Sequence, residues 1–159
     1  WKGDLLKGAR NASSVGTVVE RTSLFVTLEK MDSASAEEAQ KAFAHVLNRI
    51  DAQKRLSMTY DQGKEMAWHE KLSAEIKVYF ADVHSSWQRG INENTNGLLR
   101  EYLPKGTDLS VFTQDELDQI GWKLNTRPRK SLNFRCPVEI FMPESFDFKK
   151  HFSHVALRS

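Results

Sequence analysis

The sequence predicts an α/β fold, a five-stranded mixed sheet of three antiparallel strands plus two parallel ones, flanked by helices. Three observations predict it. Short β-branched segments separated by turn residues run up to Leu28; a stretch with helical apolar spacing then leads to two further short strands; and amphipathic helical patterns fill most of the chain beyond them. The 159 residues suit a single domain, 1–159, large enough to bury a core. With 40% hydrophobic and 28% charged residues the composition is that of an ordinary soluble globular chain, which excludes neither an enzyme nor a binding module.

The elements succeed one another in a mixed order. WKGDLL is a short first strand that carries Asp4. Val15 to Glu20 and Leu24 to Leu28 are apolar and β-branched, and Arg21, Thr22 and Ser23 between them suit a hairpin, so strands one to three are antiparallel. Ser35 with Glu38 three residues later reads as a capping box, after which Ala39, Phe43, Val46, Leu47 and Ile50 recur at helical spacing. That helix crosses over to a fourth strand, Leu56 to Tyr60, which delivers Asp61 at its end, where Gly63 permits a tight turn into a helix around Lys64 to Ala74. Lys77 to Phe80 is a fifth strand, followed from Ala81 to Gly90 by a polar loop with His84, Trp87, Gln88 and Arg89.

The next helix begins near Asn92. Leu98, Leu99, Tyr102 and Leu103 form its apolar side, while Glu93, Asn96, Gly97 and Arg100 share another face. Thr113 with Glu116 caps a helix running to about Thr126, which Pro128 ends. Residues 134–159 read as an irregular C-terminal tail packed on the core, with a short helix near Val138 to Phe141. This element order is that of a ribonuclease H-like arrangement.

No apolar run approaches the roughly 18 residues that span a bilayer, and the N-terminus lacks the basic and apolar regions of a secretory signal, so a cytoplasmic protein without membrane contact is expected. Cys136 is the single cysteine; it excludes an internal disulfide and a thiolate zinc cluster and agrees with a reducing compartment. The formal net charge is only +2, but it is unevenly spread: between Asp118 and Glu139 there is no acidic residue, while Lys123, Arg127, Arg129, Lys130 and Arg135 fall there beside Trp122 and Phe134. Such a patch suits a DNA backbone, although basic residues near a helix C-terminus also complement its dipole.

Asp4, Asp61 and Glu93 stand on separate elements, which suggests a metal site. Each acid alone has a plainer account. An aspartate after a strand is commonly a turn former, and a glutamate in the first turn of a helix gains from the dipole. Three carboxylates brought within about 4 Å repel by roughly 4 kcal/mol per pair at an effective dielectric of 20, so such a cluster is tolerated mainly when divalent cations fill it. Magnesium, with manganese as the substitute, suits these hard oxygen ligands.

Beyond these patterns, WKGDLL, SVGTVVERTS, TYDQGKE, HSSWQRGINENTNGLLREYLPKG and LNTRPRKSLNFRCPVEIF together resemble the catalytic domain of bacterial transposases of the insertion sequence 30 family, within the Asp-Asp-Glu integrase superfamily. The resemblance implies that Asp4, Asp61 and Glu93 are the catalytic carboxylates and hold two Mg2+ ions. It implies metal-dependent cleavage of DNA at the element's ends and transfer of the freed 3′ hydroxyl to target DNA, without a covalent protein intermediate. The partners are then transposon ends and target DNA, with a homodimer expected when assembled on DNA. Asn96 and Arg100, on the face of Glu93, become candidates for the DNA backbone near the scissile phosphate, and Lys123, Arg127, Arg129 and Lys130 for the flanking backbone. Polar side chains that simply face solvent account for Asn96 and Arg100 equally well.

Lesser candidates remain open. Trp87 could stack on a splayed base or pack on the domain; Glu65 could support the metal site or face solvent; and Asp82, also after a strand, is a rival third acid. His151 and His154 lack the partners of a tetrahedral site, and His45 and His69 fall within helices.

The chain departs from the family in having Lys2 where glutamate is usual and a slightly shorter interval between the second and third acids. In an extended strand Lys2 and Asp4 point to the same side, so the ammonium competes with a cation for the carboxylate. The start three residues before Asp4 leaves no room for the family's helix-turn-helix reader, so poor sequence-specific end binding is expected. A catalytically inactive transposase remnant that binds DNA or a transposase subunit is the alternative reading, and a structure-selective nuclease a third.

Overall fold

The computed structural model describes residues 1–60, 76–80, 90–147 and Lys150. Asp61, Gly63, Glu65, His69, Asp82, His84, Trp87, Gln88, Arg89, His151 and His154, and the helix expected around Lys64 to Ala74, lie outside the described residues.

The strands are β1 (Lys2–Lys7), β2 (Ser14–Val19), β3 (Val26–Met31), β4 (Ser57–Tyr60) and β5 (Lys77–Phe80). They form one sheet in the order β3-β2-β1-β4-β5, so the first strand in sequence lies at its centre. β1 pairs antiparallel with β2 and β2 with β3, whereas β1 pairs parallel with β4 and β4 with β5. The crossover between β3 and β4 is α1 (Ala36–Asn48), whose N-cap Ser35 accepts a hydrogen bond from the Glu38 N–H through its hydroxyl. The other α-helices among the described residues are α2 (Gly90–Leu99), α3 (Gln114–Asn125) and the short α4 (Pro137–Phe141).

Strand alternation divides the core into two clusters, one on each face of the sheet. Val18, Met31 and Met58 pack with Ala39, Ala42, Phe43, Val46 and Leu47 of α1 and with Val138 and Phe141 of α4. Leu6, Val15, Val19, Val26 and Leu28 pack instead with Leu99 of α2, Leu103, and Leu117, Ile120 and Leu124 of α3. Covered on both faces, all six residues of β2 are buried, Ser14 and Thr17 included. Gly3 lets α1 and β4 close on the centre of the sheet, because a Cβ there would overlap the Met58 methyl and sit 3.2 Å from the Phe43 ring.

The turn from β2 to β3 is tied by one carboxylate. Glu20 accepts from the Thr22 and Ser23 N–H groups and from the Ser23 hydroxyl. Burial of this acid works against its ionisation, but those donors prevail and hold its pKa below the ordinary value.

β3 is an edge strand, and α3 closes it with two amides. Asn125 Oδ1 accepts from the Val26 N–H at 2.8 Å and its Nδ2 donates to the Val26 carbonyl at 2.8 Å. Near the other end of the helix Gln114 Oε1 accepts from the Lys30 N–H at 2.8 Å, and its Nε2 donates to the Leu28 carbonyl at 2.9 Å. Thr113 caps this helix with Glu116 in a full capping box. Among the described residues after α3, Cys136, Val138 and Phe141 enter the core, and Phe25 stacks on the Phe141 ring at 4.5 Å.

Candidate active site

Asp4 sits in the middle of the central strand, and alternation sends it to the α2 face together with Lys2 and Leu6. Its carboxylate is fixed at both oxygens. Oδ1 accepts from the Leu5 N–H at 2.8 Å, and Oδ2 accepts from Asn96 Nδ2 at 2.7 Å. Thr95 and Leu99, both buried, seat α2 against the sheet, which turns Asn96 toward Asp4. Glu93 lies one turn earlier, in the first turn of α2, and its side chain is exposed. Two of the three candidate acids therefore stand on facing elements, and Asn96, one turn after Glu93, bonds to Asp4. β4 ends at Tyr60, paired with Gly3 next to Asp4, and Asp61 is the following residue in sequence.

Lys2 is buried at 3% exposure, on the same side of β1 as Asp4. Asn96 Oδ1 is also buried and has no hydrogen-bond partner among the described residues. That leaves a hard oxygen acceptor beside the carboxylate it orients. Among the described residues no group of three His, Cys, Asp or Glu side chains gathers as a metal site. The oxygen donors at hand, a constrained carboxylate, an exposed carboxylate and an amide oxygen, nevertheless fit a hard divalent cation by type.

Arg100 shares the α2 face, but its guanidinium is turned inward. It donates to the Lys7 carbonyl at 3.0 Å and to the Leu103 carbonyl at 3.2 Å, joining the end of β1 to the chain after α2. The spacing that places Asn96 and Arg100 on the face of Glu93 is observed; what stands opposite them, Asp4 and backbone carbonyls, has no signature in a single sequence.

The basic segment is assembled near the C-terminal end of α2. Lys123 Nζ lies 5.5 Å from the centre of the Tyr102 ring, and Arg127 pairs with Glu101 at 3.0 Å. Arg129 is half-buried; burial and the adjacent Arg127 charge lower its pKa, while Lys130 and Arg135 are exposed. A cavity of about 440 Å³ lies elsewhere, between α1 and α3 beside β3, lined by Phe25, Leu28, Val46, Ile50, Trp122 and Phe141. None of Asp4, Glu93 and Asn96 borders it.

The mixed sheet with helices on both faces is the ribonuclease H-like fold of integrase catalytic cores. Its solved neighbours include the catalytic core of BIV integrase (TM-score 0.65, 18% identity, covering 97% of each chain) and an HTLV-2 integrase core in complex with magnesium (TM-score 0.59, 20% identity, covering 88% of this chain and 93% of that one). A simian T-cell lymphotropic virus intasome shares the fold too, with a TM-score of 0.68 and 18% identity over 92% of this chain and 55% of that one.

By sequence the chain is a homologue of insertion sequence 30 family transposases over most of its length. It is 56% identical over 142 residues to the transposase of insertion sequence element IS1086 from Cupriavidus metallidurans, and 42% identical over 142 residues to the transposase InsI of element IS30A from Escherichia coli. Each match takes in 88% of this chain, which spans 42% and 37% of those two relatives. No protein-family model matches the chain. No helix among the described residues is long and apolar enough to cross a membrane.

Proposed function

We propose that this chain is the catalytic core domain, 1–159, of an insertion-sequence transposase that cleaves DNA strands and joins their 3′ ends to target DNA in the bacterial cytoplasm. The observation that carries the reading is the Asp4 carboxylate, fixed on the central strand by Asn96 of the helix that bears Glu93. Asp4, Asp61 and Glu93 would hold two Mg2+ ions, with Mn2+ as the substitute. Bound cations would supply charge neutralisation and a more acidic attacking oxygen.

The remaining work falls to side chains. Asn96 orients Asp4, so that its carboxylate would present its oxygens to a cation in one geometry rather than several. Arg100 anchors the exit of β1 to the chain after α2 and keeps the face bearing both acids rigid. Lys123, Arg127, Arg129 and Lys130 bind the DNA backbone, giving a salt-dependent and sequence-tolerant affinity. Two DNA ends must meet in transposition, so a homodimer is the expected assembly on DNA.

Nicking of supercoiled plasmid tests the reading. Magnesium-dependent nicking should fall at least about 100-fold in Asp4→Asn, Asp61→Asn and Glu93→Gln, while the fold and DNA binding persist. Nicking that needs no divalent cation, or that survives Asp4→Asn, would overturn it. The burial of Lys2 beside Asp4 favours a second reading, an inactive remnant that still binds DNA or a transposase subunit. That reading predicts salt-dependent DNA binding with no nicking at any magnesium concentration.

A further inference from the structure

Shortly after α3 the chain makes a compact turn whose tip, Asn133 and Phe134, has no part in the function proposed above. Arg129 and Arg135 form an isolated antiparallel bridge, the Arg129 N–H donating to the Arg135 carbonyl at 3.0 Å. Inside it the Leu132 and Phe134 N–H groups donate to the Arg129 carbonyl at 3.0 and 2.9 Å, and the Asn133 N–H to that of Lys130 at 3.2 Å. The turn is thus held by its own backbone. At its tip Asn133 and Phe134 are both left-handed, with φ of 53° and 63°. Asparagine tolerates that region, but a bulky aromatic there is an outlier that costs on the order of 1 kcal/mol or more and that glycine would relieve. The strain secures no packing, because Phe134 is 70% exposed.

Its surroundings are cationic. Lys130 and Arg135 are exposed on either side, and no acidic residue occurs between Asp118 and Glu139. Glu101, the acid that approaches from the end of α2, is engaged by Arg127. An apolar ring on a rigid tip, flanked by two cations, matches the chemistry of a nucleic-acid strand: a base face for the ring and phosphates for the charges. Strained residues persist where function retains them.

We propose that the Arg129–Arg135 turn is a DNA-contact element in which Phe134 stacks on an unpaired base while Lys130 and Arg135 hold the phosphates on either side. The proposal rests on the DNA reading above and adds to it a preference for unpaired over fully paired DNA. Just before the turn, Arg127 pairs with Glu101 in the chain after α2.

Fluorescence anisotropy with a blunt duplex and the same duplex bearing a short single-stranded 3′ tail decides it. The chain should prefer the tailed DNA. Phe134→Ala should weaken that complex roughly tenfold and the blunt complex less than about twofold, and Phe134→Trp should keep the preference. Lys130→Ala or Arg135→Ala should weaken both complexes alike and lower the salt slope by about one each. Phe134→Gly should lose the preference as alanine does while its Tm holds or rises, because the left-handed strain is relieved. If Phe134→Ala binds both DNAs as the parent does, the stacking is wrong and the ring belongs to a protein contact, while the DNA reading stands. If the parent binds neither DNA, both fall together.

Discussion

Asn96→Asp replaces the amide that donates to Asp4 with a second carboxylate at the same place, and its cost can be worked from one distance. At 2.7 Å two unit charges repel by about 6 kcal/mol at an effective dielectric of 20, an upper bound because either group can swing toward solvent. The lost hydrogen bond to a charged acceptor is worth about 2 kcal/mol. We expect a destabilisation of about 3 kcal/mol at pH 8, a Tm drop of roughly 10 °C. The sign with pH is fixed. Facing carboxylates raise the pKa of the pair in the folded state above its unfolded value, so the folded state binds the extra proton and stability falls as pH rises. Urea unfolding at pH 8 and pH 4.5 should therefore show a penalty that shrinks in acid, relative to the parent chain at each pH. Asn96→Leu, which loses the hydrogen bond and adds no charge, should show a penalty nearly independent of pH. Equal penalties for Asn96→Asp at the two pH values would refute the contact between α2 and β1 on which the site is built.

Three further outcomes are expected. Asn125→Leu strands the N–H and carbonyl of Val26, which is 2% exposed, and should cost about 3 kcal/mol in urea unfolding, whereas Gln114→Ala at the more open end of the same helix should cost about 1. Cys136 is buried and donates to the Thr126 carbonyl; burial, with Glu139 nearby, pushes its thiol up to about 11. At pH 8 the native chain should then alkylate with iodoacetamide about two orders of magnitude more slowly than the unfolded chain. Lys2→Glu removes a buried ammonium from the side of β1 that carries Asp4 and should tighten magnesium binding in titration calorimetry; equal affinity would show that Lys2 does not compete with the ion.

Most of the fold is legible in the sequence because its signals are local. The β-branched, apolar run in SVGTVV and helical spacing from Ala39 to Ile50 name their elements, and the Thr113 and Glu116 pair fixes the start of α3 to the residue. The hairpin sets in slightly later than its composition indicates, with β3 beginning at Val26, because Leu24 takes a left-handed conformation that strand propensity does not foresee. Local signals cannot supply whatever depends on distant partners. Asn96 and Arg100 read as surface groups awaiting phosphate, yet one orients Asp4 and the other bridges carbonyls at Lys7 and Leu103. The amides of Gln114 and Asn125 have no visible role in the sequence, since their strand lies more than eighty residues earlier. Phe134 stands out in the sequence only as a neighbour of basic residues; its left-handed backbone, which makes it more than an exposed ring, is a property of the folded turn.

The clamp on β3 also constrains how copies of this chain can meet. An open sheet edge is an invitation for another strand to add to it, and two catalytic cores gathered on paired DNA ends would be at high local concentration with such edges close by. At β3 the invitation is withdrawn, since side-chain amides of α3 already occupy the positions at Val26, Leu28 and Lys30 where a newcomer would have to bond. Cores meeting on this side must therefore join through helical or loop surfaces, or through the DNA itself, and can come apart again without any sheet having to be torn.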